Sequence, residues 1–250
     1  MSAQKLLVVI PAHNEAETIY EVVTRSLKYA DVSVTDDGSR DETPRILESI
    51  RAECAAGKHP HTLHIITHPT ATHIPRGIQD GLRYGVQQNY DWIVTMDAGL
   101  SHDPDALPQF FEQDAQFDVV IGSRQKIENV PFYRRVISRS AAMVVNYALT
   151  SSYFDLMGPG LRDCTSGYRR YSRAAAGCIA GVELESKAFD FHMEALALCY
   201  RAGMRVTEIP IHYVFSNSSF NSRVLKQAMR FGLHLIGTKG SAPHMAQSNQ

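Results

Sequence analysis

Four short apolar runs in the N-terminal part of this chain, each followed by a stretch with helical spacing, constrain its fold more than any other feature. Lys5–Ile10, Val32–Asp36, Leu63–Thr67 and Asp91–Met96 read as strands, and the segments between them read as helices. Such alternation gives βαβ units and a mostly parallel sheet, because parallel neighbours need a crossover long enough to hold a helix. Pro11 is expected to end the first strand. Asn14 with Glu17, and Ser39 with Glu42, have the spacing of capping boxes, so each pair is expected to open the helix that follows, the second running through Ile50. A third helix is expected from about Pro75 to Gln88, and Asp97 stands where the fourth strand stops.

Composition narrows the class. The chain has 250 residues, 25 Lys+Arg and 26 Asp+Glu, which suits one α/β domain and argues against a long phosphate-binding surface for nucleic acid. No run approaches the roughly 18 apolar residues of a spanning helix. Met1–Lys5 leads straight into a strand without a secretory h-region, so a cytoplasmic location is expected. Cys54, Cys164, Cys178 and Cys199 are scattered and form no CxxC pair. His59, His61, His64, His68 and His73 crowd one stretch, where loop and strand-edge histidines are expected. His64 and His68 would share a face of a strand.

Ligands of open α/β sheets collect outside the carboxyl ends of the strands. Three polar clusters occupy such ends here: His13-Asn-Glu15, Asp36-Asp37-Gly38-Ser39, and Asp97 through Asp103. There is no GxGxxG after the first strand and no GxxxxGK[ST], so neither glycine-rich cradle for a dinucleotide or a triphosphate is present. Carboxylates at these ends suit hydrogen bonds to a base or ribose and metal-bridged contact with a diphosphate, as a nucleotide-diphosphate sugar would require.

Val8–Glu15, Val34–Ser39 and Met96–His102 resemble, in order and spacing, the nucleotide-binding half of the inverting glycosyltransferase family 2, whose fold is GT-A: a Rossmann-like, mostly parallel sheet flanked by helices, with acceptor-side helices toward the C-terminus. Val120–Arg124, Glu128–Ser138 and Asp163–Arg169 look like its polyprenyl-phosphate (dolichol-phosphate) mannose synthase branch. The resemblance covers roughly Lys5 to Arg223, so one domain is expected over 1–237, and the polar composition after Gly237 reads as a disordered tail at 238–250.

The resemblance implies that Pro11, His13, Glu15, Asp36 and Asp37 surround the base and ribose. Asp97 would hold Mg²⁺ or Mn²⁺ against the diphosphate, and Arg124, Arg134 and Ser138 would grip the acceptor phosphate. The second aspartate of the family's Asp-x-Asp is Gly99 here, with Ser101 and Asp103 as substitute metal ligands. Asp103 reads equally as an N-cap before Pro104. Asp163 and Arg169 flank a turn expected near the sugar. The family's C-terminal Arg-x-x-Gly-x-Ser-Lys loop is reduced to Ser216–Arg223, leaving Arg223 as its charge. The implied partners are GDP-mannose or a UDP-sugar, a lipid phosphate, and either a membrane subunit or direct peripheral contact with the cytoplasmic face.

A phosphate-monoester acceptor is largely dianionic at neutral pH and needs no general base, and arginine forks suit the task of bringing two anions together. A sugar-hydroxyl acceptor would demand a positioned carboxylate. Asp190 and Glu194, four residues apart in a helical pattern, are the candidates. A third reading is a non-catalytic member that binds a nucleotide-sugar, supported by Gly99 and Ser216. Arg134–Leu149 reads as an amphipathic helix with a basic start, fit for a bilayer interface or for core packing, and Val224–Ile236 as a second.

Overall fold

The computed structural model describes residues 4–128, 132–150, 154, 158–188, 190–214 and 232–237, without the side chains of 126–128, 132–139 and 141. In chain order the elements are β1 (Leu6–Ala12), α1 (Ile19–Ser26), β2 (Asp31–Asp37), α2 (Thr43–Ala55), β3 (Leu63–His68), α3 (Ile74–Gln87) and β4 (Trp92–Thr95). A 3-10 turn (Pro104–Ala106) and α4 (Leu107–Phe111) follow. Then come β5 (Val119–Glu128), α5 (Phe132–Leu149), β6 (Arg169–Ser172), α6 (Arg173–Ala180), α7 (Phe191–Arg201) and β7 (Val206–Val214).

They build one seven-stranded sheet in the order β3-β2-β1-β4-β6-β5-β7, in which β6 alone runs antiparallel. Alternation along β1 explains the layering. Leu7 and Val9 face a core with α3, α5, α6 and α7, whereas Val8 and Ile10 face a second core with α1, α2 and α4. Two covered faces are what the continuous apolar character of β1 requires. The chain winds outward from β1 to β3 and then crosses back to place β4 on the other side of β1. The crevice between the ends of β1 and β4 is therefore a topological switch point.

Pro11 does not end β1, which continues to Ala12 with Pro11 opposite Thr35. The Val9 carbonyl accepts from the Met96 N–H on the β4 side, and Pro11 points the same way, beyond the end of β4. Its missing N–H therefore costs no ladder bond. Neither expected capping box forms. α1 begins after Thr18 and α2 after Glu42, neither with a side-chain cap. His64 and His68 do share a face of β3, where His64 stacks on Tyr84 of α3 at 3.8 Å and His68 reaches Asp80 of the same helix. The expected helix from Arg134 is α5; of Val224–Ile236 only 232–236 lies within the described residues, as helix.

Candidate active site

The residues expected to cap helices instead tie the β1–α1 loop to the β2–α2 loop. Asn14 takes a positive φ of 56°, which lets its N–H donate to Ser39 Oγ at 2.9 Å while its Oδ1 accepts from the Arg40 N–H at 2.8 Å. The Glu15 N–H donates to Thr43 Oγ1 at 2.8 Å, and the Ala16 N–H to Asp41 Oδ2 at 3.1 Å. His13 Nδ1 lies 2.7 Å from the Asp37 carbonyl, which can only accept, so this nitrogen carries the proton. Nε2 then accepts from the Asn14 amide at 3.1 Å. Hydrogen bonds thus run in one direction from Arg40 through Asn14 and His13 to Asp37.

Beside this relay opens a pocket of about 320 Å³ lined by His13, Asn14, Gly38, Arg40, Pro69, Thr70 and Ala71. Gly38 holds φ +70°, and a Cβ there would sit 2.9 Å from the Ala71 nitrogen, so only glycine lets the two loops approach. Asp37 fixes the far wall. Its carboxylate accepts from the Thr72 N–H and hydroxyl, the His73 N–H and His68 Nδ1, each at 2.8–2.9 Å. Burial alone would raise its pKa, but these bonds outweigh it and hold the carboxyl below the usual range. Asp37 therefore shapes the pocket through the 69–73 loop. Asp36 is buried and accepts from the Ser39 N–H at 3.1 Å. Glu15 lies at the cleft with its pKa raised, chiefly by burial and further by Asp97, against a hydrogen bond from Thr18.

Asp97 follows β4 with its side chain 46% exposed, open to a ligand. Its N–H donates to Nδ1 of buried His102 at 3.4 Å. Burial keeps the His102 pKa low, against the pull of Asp97, so the neutral ring acts as an acceptor that orients the Asp97 backbone. At Gly99 an added Cβ would meet nothing within 4 Å. Ser101 is buried. Of the two readings of Asp103, the structure shows the cap: it accepts from the Asp105 N–H at 3.1 Å and pairs with Arg25. Among the described residues no group of three His, Cys, Asp or Glu side chains could hold a metal by itself.

Arg124 and Asp163 meet in a bidentate pair, at 2.6 and 2.7 Å, and Arg124 also donates to Thr165 Oγ1 at 2.6 Å. A bulge immediately after Arg124 shifts the β5–β7 register. Burial would raise the Asp163 pKa, but the Arg124 guanidinium holds it down at about 2. Asp163 also accepts from the Thr165 and Ser166 N–H groups, so the pair shapes the turn that carries Gly167. Arg124 is thus engaged by a carboxylate, and a grip on an acceptor phosphate would have to share it.

Arg169 is corrected outright. It is fully buried, and its guanidinium donates to the carbonyls of Ser166, His192 and Cys164 at 2.6–2.8 Å, so it braces the turn against α7 from inside the core. Asp190 and Glu194 are likewise engaged. Asp190 accepts from the Ala188 N–H at 2.7 Å, and Glu194 from the Glu185 and Ser186 N–H groups at 2.9 Å. Arg134 and Ser138 fall on α5 with side chains outside the described residues, and Arg223, Ser216 and the 238–250 tail lie wholly outside them.

Two participants were not singled out from sequence. His102 could have been found from its place five residues after Asp97, in the turn that closes back on that residue. His192 has no local signal: a Cβ on Gly167 would lie 3.0 Å from His192 Nε2 and 3.3 Å from Asp97 Oδ1, a meeting that only the fold creates.

Comparison with known proteins bears on the family and the fold. The profile of glycosyl transferase family 2 matches residues 7–179. The chain is 31% identical over 217 residues to an undecaprenyl-phosphate mannosyltransferase of Micrococcus luteus, covering 84% of each chain. It is 30% identical to a polyprenol monophosphomannose synthase of Mycolicibacterium smegmatis, over 84% of this chain and 77% of that one. Its fold matches the crystal structure of glucosyl-3-phosphoglycerate synthase from Mycobacterium tuberculosis in complex with Mn²⁺, UDP and phosphoglyceric acid. There the TM-score is 0.66 at 16% identity, over 97% of this chain and 80% of that one.

Proposed function

This chain belongs to glycosyl transferase family 2, and on that premise we propose that it moves mannose, with inversion, from a nucleotide-diphosphate sugar to the phosphate of a polyprenyl lipid. The observation that carries the acceptor assignment is the state of Asp190 and Glu194. Both carboxylates that the sequence offers as base for a hydroxyl acceptor instead accept from backbone N–H groups. A phosphate monoester, with a second pKa of about 6, arrives as its own nucleophile. The relatives named for undecaprenyl-phosphate and polyprenol substrates support the same choice.

The nucleotide takes the pocket beside His13, Gly38 and Arg40, with Pro11, Glu15 and Asp36 around it, GDP-mannose being the favoured donor and a UDP-sugar the other. The diphosphate then points toward Asp97 across the switch point. The open carboxylate of Asp97 and the empty space at Gly99 fit a divalent cation held mainly by the diphosphate, with Asp97 as the protein's ligand. Such a cation, when bound, neutralises charge on the leaving diphosphate. The protein's own task is alignment. The Arg124–Asp163 pair sets the turn over which the sugar lies, and Arg134, Ser138 and Arg223 draw the acceptor phosphate in line with the anomeric carbon.

No described helix is long and apolar enough to cross a membrane. The lipid is reached at the cytoplasmic face, through α5 and the helix at 232–237 or through a membrane subunit. Incubation of the purified protein with GDP-mannose and either a polyprenyl phosphate or a sugar acceptor, followed by mass analysis of both the extracted lipid and the soluble products, tests the assignment. A mannosyl phospholipid is expected; transfer only to a sugar hydroxyl would overturn it.

A further inference from the structure

His192 lies at the second position of α7, 2% exposed, and its Nδ1 has no hydrogen-bond partner among the described residues. An orphaned buried N–H is costlier and rarer than an under-satisfied acceptor. The tautomer that avoids it leaves Nδ1 bare and places the proton on Nε2. That nitrogen faces the space over Gly167, where a Cβ would lie 3.0 Å from it and 3.3 Å from Asp97 Oδ1. Burial, with Arg169 and His102 adding to it, keeps the His192 pKa well below the ordinary value, so the ring is a neutral donor at physiological pH.

A donor and a carboxylate on either side of one small space select their occupant. A phosphate oxygen can accept from His192 but has no proton to give the Asp97 oxygen that borders the same space. A hydroxyl can accept from one and donate to the other. Building on the family-2 transfer reading, we propose that His192 is a donor-sugar-binding residue: its Nε2–H donates to a hydroxyl of the transferred hexose, which lies over Gly167 and donates in turn to Asp97. Gly167 is then glycine because any side chain would fill the seat of that hydroxyl. Arg169 holds the arrangement from behind, through its bonds to the His192 and Ser166 carbonyls on either side of the seat.

Calorimetric titration with GDP, GDP-mannose, UDP and UDP-glucose separates sugar binding from nucleotide binding. In His192→Phe and Gly167→Ala the nucleoside diphosphates should bind as in the parent. The nucleotide-sugar should weaken by about tenfold, the equivalent of one hydrogen bond. His192→Gln, which keeps an N–H donor, should recover part of the loss. Equal weakening of diphosphate and sugar donor, or no change in a variant whose melting temperature is preserved, would overturn the proposal. Donors lacking single hexose hydroxyls, tested on the parent protein, make the same measurement without a variant. One position should lose about tenfold, and uniform binding across the set would overturn the proposal. A parent that binds these donors selectively yet never transfers to lipid phosphate would overturn the functional reading alone, and one that binds no nucleotide-sugar would overturn both.

Discussion

At the carboxyl ends of β1 and β2, polar side chains bond to the backbone of the neighbouring loop and leave an open pocket between them. Around β5 and β6 the same residue types are driven inward. Asp37 holds Thr72 and His73, and Asn14 holds Arg40, so the loops are stitched without closing the space that they enclose. Arg124 is instead locked to Asp163, Arg169 to three carbonyls, and Arg170 to the carbonyls of Phe110, Gln113, Asp114 and Phe117 with its guanidinium 3.9 Å over Trp92. Burial lowers the Arg170 pKa to about 10. The difference teaches that one half presents ligand-binding groups, while the other uses charge to fix the backbone on which binding depends.

Asp97 sits between the two regimes, and its replacement should have the largest effect. Asp97→Ala is expected to lower the transfer rate by at least about 100-fold with little change in melting temperature, because the side chain is half exposed. An active variant would place Asp97 with the structural residues. Asp163→Ala should behave in the opposite way. It leaves the part-buried Arg124 guanidinium and the Thr165 and Ser166 N–H groups without their acceptor, at a cost of about 3 kcal/mol in urea unfolding. A loss below 1 kcal/mol would remove the pair from the scaffold.

The same pair gives a pH signature. Asp163 titrates at about 2 in the fold, below its ordinary 3.8, so its contribution is complete above that ordinary value and disappears as the pH falls toward 2. Unfolding free energies followed through this window should lose on the order of 2 kcal/mol, a slope absent in Asp163→Asn. Gly38→Ala tests the other half. A Cβ driven into the Thr70–Ala71 backbone at positive φ should cost about 1–3 kcal/mol and weaken nucleotide binding in calorimetry; unchanged binding would detach the pocket from the nucleotide. Arg25→Ala, which removes partly exposed pairs with Glu21, Asp103 and Asp105, should change stability by no more than about 1 kcal/mol.

The same contrast governs what could be read from the chain. β1 to β4 were legible because apolar runs and helical spacing are local, and the strand-end clusters followed from them. The caps were misread because Asn14 and Ser39 satisfy the local rule, while a neighbouring loop offers each a better partner. Beyond β4 the pattern fails. Arg169–Ser172 carries two arginines and does not look like a buried strand, yet it runs antiparallel between β4 and β5. Arg170 is tolerated there because the 110–117 segment, more than fifty residues away, supplies its carbonyls, whereas Arg169 takes two of its three from the turn just before it and the third from α7. Asp97 was recognisable as the residue after β4. His192 was not, since its relation to Asp97 exists only across Gly167.

The central claim is that the acceptor is its own nucleophile and that Asp190 and Glu194 serve the scaffold. The pH dependence of kcat/KM, measured with a polyprenyl phosphate and with a phosphonate analogue whose second ionisation lies higher, tests this most directly. The acid limb should move upward with the acceptor's own pKa. An acid limb that stays at one pH for both acceptors would place the ionisation on the enzyme and contradict the account.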